Sequence, residues 1–500
     1  MHDADTFPPM PEPTQLPVFH VVGFTGHRQL TDPDGATRVM REVLTELKAE
    51  PGVEWLALSS VAAGSDVLFA RTALSLGLGW EAVLPLPPAE FRRDFDDVSW
   101  REVETLLSEA EAVRVIGERP EREDAYLDSG MEAVNYCDVL LAFWDGEPAR
   151  GRGGTAEIVA YAREMGRPVI LINARTLAVR RENADKLKLG DRHLAFLNRL
   201  PEAAPITDDD PGRKTVREFH HKVDYAATQG APHFRRLIVF SVGLHVLATA
   251  LAAATLAFSL HSPALPWGKL ACLVGALGVA LLIRHHHHRS APVRCRLAAE
   301  ITRSALDTWG LPRSLRLFDD FDWAGLEPLR RSLDILQRRG ARAHPAEFDE
   351  FKQHYLKERI DGQLAYFARQ EARAVPLLGR LRTGFYIVST LAIVFTAAYA
   401  LHSVTPDVPV PHWVETWIFG FGPIVLPVMA AGFISLISIN DLDRRVARYR
   451  EMRVRLLTAR KEAVFAQTWG SLERVVAKAE RALLQEVFEW HSITSFSETH

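Results

Sequence analysis

Hydrophobic residues are distributed along this chain in two distinct ways. Up to about residue 173 they come as short runs between amphipathic stretches, and beyond residue 235 they gather into four segments as long as a bilayer is thick. Residues 237–260 (LIVFSVGLHVLATALAAATLAFSL), 383–401 and 417–439 contain no Asp, Glu, Lys or Arg. At about 1.5 Å per residue each can cross a hydrocarbon core. Residues 267–283 form the fourth segment, with Lys269 near its start, where a long side chain can reach the interface.

The flanking charge gives these spans a direction. Arg235 and Arg236 precede the first span, Arg284 and Arg289 follow the second, Arg380 and Arg382 precede the third, and Arg444, Arg445, Arg448 and Arg450 follow the fourth. The connecting loops, 261–266 and 402–416, hold no Lys or Arg. Basic flanks stay on the cytoplasmic side, so both hairpin tips are expected outside and both termini inside, in a multi-pass protein of the cell inner membrane. Trp267, Trp413 and Trp417 sit at span ends, where interfacial aromatics gather. Gly420, Gly422, Pro423, Pro427 and Gly432 in the last span suit close helix packing, with a gating hinge as the alternative. His245 is expected to bond to a neighbouring helix. The run His285–His288 reads first as a wet, basic interfacial cap, with a metal site or pH sensor as the alternative.

In the first 173 residues the pattern predicts strands at 19–24, 55–59, 81–84, 112–116, 139–143 and 168–172, and helices at 35–47, 65–76, 98–111, 123–136 and 155–165. The strands are continuously apolar, as in a parallel sheet covered on both faces. The expected fold class is an α/β, Rossmann-like N-terminal domain joined to an all-α membrane region with four transmembrane helices and cytoplasmic helical extensions. Expected boundaries are a disordered tail over 1–17, the α/β domain over 18–205, a linker helix over 206–233, the first hairpin and its following helix over 234–310, a cytoplasmic helical segment over 311–380, the second hairpin over 381–440, and a C-terminal amphipathic helix over 441–500.

Bulk composition narrows the function. A net charge of −4, with 24% charged residues and no basic run interleaved with aromatics, speaks against a nucleic-acid partner. Cys137, Cys272 and Cys295 are far apart, so neither a disulfide framework nor a metal site is expected, and no cofactor is. The acidic, proline-rich start lacks the apolar core of a signal peptide.

Ligands of parallel α/β sheets bind beyond the carboxyl ends of the strands. Three of those ends are rich in glycine and small polar residues. The first is Gly23-Phe-Thr-Gly-His-Arg28, where Gly23 and Gly26 let backbone approach a ligand, Thr25 offers a hydroxyl, His27 adds an imidazole and Arg28 can fork onto a phosphate. The second runs from Ser59 to Asp66; Gly64 precedes Ser65 and Asp66, one of which is expected to cap a helix whose N-terminus favours an anion. The third runs from Asp145 and Gly146 to Gly153, Gly154, Thr155 and Glu157, presenting amides and a hydroxyl at a helix start. Neither a P-loop lysine nor a GxGxxG fingerprint is present. One loop alone is ordinary turn chemistry; three on one sheet edge point to a phosphate-bearing ligand.

The strings GFTGHR, VAAGSDVLFARTAL, CDVLLAFWDG and GRGGTAEIVAYA resemble the SLOG superfamily, which includes the "lonely guy" phosphoribohydrolases, DprA-like proteins and nucleotide sensors of bacterial defence systems. The likeness covers about residues 18–173. It implies that Gly153, Gly154 and Thr155 hold a phosphate or ribose and that Glu157 faces the ribose. The phosphoribohydrolase signature has a leading proline and places its Glu three residues after the Thr. Here the proline is missing and Glu157 follows Thr155 by two, which turns the carboxylate by about 100° around a helix and favours sensing over hydrolysis. The segments YLKERIDGQLAYFARQ and RYREMRVRLLTARKEAV, with the hairpin between them, resemble a SLATT-type two-span module, and the first hairpin with RCRLAAEITRSALDTWG resembles a second, divergent copy. The resemblance implies a homo-oligomeric, pore-forming effector of antiviral defence that responds to a nucleotide-derived ligand. The alternative is a membrane-tethered N-glycosidase in which Glu157 stabilises an oxocarbenium ion with Asp145 or Asp66 assisting. A constitutive channel or transporter is a third class, disfavoured by spans without acidic or basic path residues.

Overall fold

The computed structural model describes residues 15–116, 121–148, 151–188, 190–201, 206–260, 262, 264–287, 291–313, 315, 325–405 and 409–496. The chain forms two compact units. The first holds the residues up to 202 together with Ile206–Phe219 and the described part of Asp322–His344; the second holds the remainder.

The elements follow in chain order as β1 (Val18–Gly26), α1 (Pro33–Lys48), β2 (Val53–Ser59), α2 (Ser65–Ser75), β3 (Gly79–Leu84), α3 (Pro88–Phe91), α4 (Asp97–Glu109), β4 (Ala112–Val115), α5 (Arg122–Tyr136), β5 (Val139–Trp144), α6 (Thr155–Glu164), β6 (Val169–Asn173), β7 (Val179–Glu182) and α7 (Arg192–Asn198). The strands make one sheet in the order β4-β3-β2-β1-β5-β6-β7. Six are parallel and β7 closes the sheet antiparallel to β6. The strand order reverses at β1, which lies between β2 and β5, so the loops after β1, β2 and β5 share one edge.

Alternation along β1 supplies both faces of the core. Val22 and Phe24 join Met40 and Leu44 of α1 and Phe69 of α2 on one side. Phe19 and Val21 join Val134 of α5 and Ile158 of α6 on the other. This α/β architecture agrees with the expectation, with strand ends within about two residues. The N-terminal tail ends sooner than expected: Leu16 is buried and exchanges two hydrogen bonds with Asn198, so residues 15–17 belong to the domain. Residues 1–14 of the expected tail lie outside the described residues.

The helical region comprises α8 (Pro211–Ala257), α9 (Ala264–His287), α10 (Ala291–Asp307), α11 (Glu327–Ala343), α12 (Phe348–His354), a π-helical turn (Tyr355–Asp361), α13 (Gly362–Val404), a second π turn (Val414–Phe421), α14 (Gly422–Ile439), α15 (Leu442–Phe465) and α16 (Trp469–Phe496). Among the described residues, four helical stretches are long and apolar enough to cross a membrane: Val239–Ala257, Ala264–Leu282, and windows within Phe348–Val404 and Val414–Phe465. Ile393, Leu401, Leu277 and Trp417 are exposed on them. In water such a display of aliphatic surface would be costly; it fits a lipid bilayer, and the chain is a membrane protein. The linker helix and first span, expected as separate segments, are one helix, α8.

Glycines make close helix contacts, as expected for the last span. A Cβ on Gly420 would stand 3.0 Å from the Ala257 methyl, and one on Gly422 2.3 Å from the Phe395 ring. Across the second hairpin, a Cβ on Gly384 would stand 2.9 Å from the Phe433 ring. Two expectations are corrected. His245 Nδ1 bonds to the Ser241 carbonyl one turn back on its own helix, which lies within hydrogen-bond reach at 2.9 Å. The long C-terminal helix is two, α15 and α16, broken at the extended backbone of Ala466. The side chains of His285–His288 lie outside the described residues. A buried charge centre joins three segments of this unit: the Arg359 guanidinium grips Glu480 through two bonds of 2.9 and 2.6 Å, Tyr355 donates to Glu480 at 2.8 Å, and Asp307 of α10 stands 3.2 Å from Arg359.

Candidate functional site

The three glycine-rich loops meet at the carboxyl edge of the sheet. After β1 the chain turns over the end of β5, where the His27 amide donates to the Phe143 carbonyl at 3.2 Å. The His27 carbonyl then receives both the amide and the hydroxyl of Ser65, at 3.1 and 2.8 Å. Gly64 adopts φ +99°, and a Cβ there would stand 2.1 Å from the Arg28 carbonyl oxygen. Only glycine fits this crossing, for backbone and space together. A Cβ on Gly26 would likewise meet the Ser65 hydroxyl at 2.2 Å.

The helix after β2 begins differently from the expectation. Its cap is Gly64, with no side-chain bond, because Ser65 and Asp66 are both engaged elsewhere. The Ser65 hydroxyl turns to His27, and the Asp66 carboxylate receives the hydroxyls of Ser59 and Ser60 at 2.9 and 2.8 Å. Asp66 is buried, and burial raises its pKa to about 6 against the partial opposition of Ser60, Ser59, the Ala62 amide and Arg28. A carboxyl poised there can hold or release a proton near neutrality.

At the end of β5, Asp145 Oδ1 and its amide each stand 3.1 Å from His27 Nε2. A neutral imidazole accepts from the amide there, and a protonated one donates to the carboxylate. Burial pushes the Asp145 pKa up, but the Glu147 amide, His27 and Arg175 outweigh it and hold the group below the usual range. Gly146, at φ +88°, lets the chain turn so that the Glu147 amide reaches Asp145 Oδ1 at 3.1 Å.

The third loop reaches the same place through α5. Gly153 has φ +75°, and a Cβ there would stand 2.6 Å from the Leu127 amide nitrogen and 3.0 Å from the Tyr126 carbonyl carbon. The Arg28 guanidinium lies over the Tyr126 ring at 5.1 Å, so the first loop and α5 meet as well. Gly154 caps α6 without a side-chain bond and Thr155 is buried at its first turn. Glu157 folds back so that its carboxylate accepts the Gly153 amide at 2.7 Å. One of the amides expected to meet a phosphate is therefore engaged by the helix's own acid.

Two of the expected residues lie inside the sheet. Gly23 pairs with Leu58 and Leu140, and its missing side chain makes room for Cys137, 2.9 Å from where a Cβ would be. Thr25 pairs with Ala142 one step before the edge. Several residues that sequence reasoning passed over belong to the site. Tyr126 donates to Asp94 in a short hydrogen bond, and burial followed by Asp94 pushes its pKa well up, so it stays a neutral phenol. Arg122 pairs with Asp94 at 2.6 Å, and Arg175 bridges Asp145 and Glu147 at 3.3 Å. Arg28 forms no ion pair among the described residues. Ser59 and Ser60 carried a signal, as the hydroxyls that open the second glycine-bearing loop; Tyr126 sits on an amphipathic helix whose pattern gives none.

Cavities of about 190 Å³ beside Leu47, Val139 and Ile170, and of about 350 Å³ beside Phe465 and Val475, lie away from these loops. Convergent polar groups mark the edge. No group of three or more His, Cys, Asp or Glu placed to hold a metal occurs among the described residues. No protein-family model matches the chain, and no curated protein is significantly similar to it.

Proposed function

We propose that this chain is a membrane-embedded effector of the SLOG–SLATT type. Its α/β domain senses a nucleotide-derived, phosphate-bearing signal on the cytoplasmic side, and its four spans respond by opening a pore or disrupting the bilayer, in a homo-oligomer, as part of antiviral defence. The observation that carries the reading is the convergence of three loops, bearing Arg28, Ser65, and Asp145 with Gly153, at the switch point of a parallel sheet, on the same chain as four membrane-length apolar helices. Arg28, over the Tyr126 ring and without a carboxylate partner among the described residues, is the group for the ligand's anionic oxygens. Glu157, bonded to the Gly153 amide, supports sensing over N-glycoside cleavage, since the carboxylate that hydrolysis requires serves its own helix. Ligand binding moves the spans only to the extent that the ligand prefers one state of the chain over the other.

The test is mass spectrometry of small molecules that co-purify with the full chain, beside dye release from liposomes containing it. A bound nucleotide derivative that is lost in Arg28→Gln and that triggers release in the wild type is expected. Steady formation of free base, abolished by Glu157→Gln, would establish the enzyme instead. Release that is indifferent to every co-purified compound would refute sensing.

A further inference from the structure

Residues between the two membrane hairpins complete the α/β domain. Helix α11 belongs to the first compact unit although its sequence lies between the second and third spans. Its positions 331, 335, 338, 339 and 342 recur at helical spacing and share one face. Ile335 is fully buried in the layer formed by α5 and α6. The arginines of that face meet the sheet where its strands begin, the end opposite the glycine loops. Arg331 pairs closely with Asp138, which also receives the Val21 amide at 2.7 Å. Burial pushes the Asp138 pKa up, yet His20 and Arg331 together hold it below the usual range. Arg338 stands 2.7 Å from the Glu81 carboxylate, a charge contact off the hydrogen-bond axis, and Arg114 stands 3.1 Å from its other oxygen. Glu81 is 1% exposed, so these two guanidinium groups replace water as its surroundings. Arg339 reaches Glu111 and Glu54, both at 3.0 Å. Arg342 donates to the carbonyls of Ala110 and Ser108 at 2.8 and 2.7 Å, at the C-terminal end of α4. Ser332 donates to the Pro17 carbonyl at 2.7 Å.

We infer that the α/β domain holds the chain ahead of each hairpin, at Ile206–Phe219 ahead of the first and at α11 ahead of the second, and that α11 is the arm through which the domain restrains the second hairpin. Two features beyond proximity support this. The acidic and carbonyl-rich amino edge of the sheet matches a helix carrying arginines on its docking face. Only His344–Glu347 separates α11 from α12 and the helices that lead into the third span, so a displaced α11 leaves little slack. Glu81, Glu54, Glu111 and Asp138 each owe a partner to this one helix. The attachment rests largely on charge and stands whether or not the glycine loops bind a nucleotide.

The test is hydrogen exchange on the full chain in detergent micelles, comparing wild type with Arg338→Gln/Arg339→Gln. Exchange of the 327–343 amides is expected to quicken at least tenfold, with quickened exchange spreading into 348–380 while β1 and β5 stay protected. Unchanged exchange in α11 would overturn the docking. Freed α11 with 348–380 unaltered would overturn the restraint. If the double variant does not fold, Glu54→Gln/Glu111→Gln removes the partners of Arg339 from the other side and is read by the same two outcomes.

Discussion

Asp66 offers a direct measure of what burial costs at the loop edge. The gap between its ordinary value of 3.8 and about 6 corresponds to about 3 kcal/mol of preference for the neutral form in the folded chain. A raised carboxyl pKa means that this contribution to stability is fully present below pH 3.8, is lost as pH climbs to about 6, and stays lost above it. Asp66→Asn is neutral at every pH and keeps an oxygen to receive the Ser59 and Ser60 hydroxyls. The value of about 6 already includes the help that these hydroxyls give the charged form. The variant should therefore be more stable by about 3 kcal/mol at pH 8 and by close to nothing at pH 4. Hydrogen exchange of the β1 and β5 amides in the detergent-solubilised chain, corrected for intrinsic rates, reads this as a slowing of roughly 100-fold at pH 8. A loss of protection at pH 8 would show that the hydroxyl bonds outweigh the cost of burying the charge, and the same difference at both pH values would show that the charge is not its source.

Other expectations follow from single contacts. Gly64→Ala forces a methyl to within 2.1 Å of the Arg28 carbonyl at φ +99° and should cost about 3 kcal/mol, seen in thermal unfolding of the α/β domain. Arg359→Gln leaves the fully buried Glu480 carboxyl without its guanidinium partner; a loss of about 3–5 kcal/mol in denaturant unfolding followed by helical circular dichroism is expected. Alkaline carbonate washing of membranes from expressing cells should leave the chain in the pellet, and its release into the wash would contradict the spans.

Much of this fold was legible because its signals are local. Continuous apolar runs gave the six parallel strands, and uncharged stretches gave the spans. The strand β7 escaped notice because Val-Arg-Arg-Glu is short and exposed at an edge, with nothing to bury. The loops of the candidate site were visible as glycines, but the partners that give them meaning were not. Tyr126 and Asp94 are 32 positions apart, and Arg338 reaches Glu81 across more than half the chain. No periodicity encodes such pairs. The expected cap at Ser65 or Asp66 failed for a related reason: both side chains found stronger long-range or turn partners than the helix end, and glycine took the cap position.

The second hairpin carries its contacts in reciprocal form. Gly384 of α13 seats the Phe433 ring of α14, and Gly422 of α14 seats the Phe395 ring of α13. Two pegs set in opposite sockets oppose sliding in either direction, since a shift along the axis drives at least one ring against a helix backbone. The pair is thus built to tilt or turn as a single piece, without one of its helices slipping past the other.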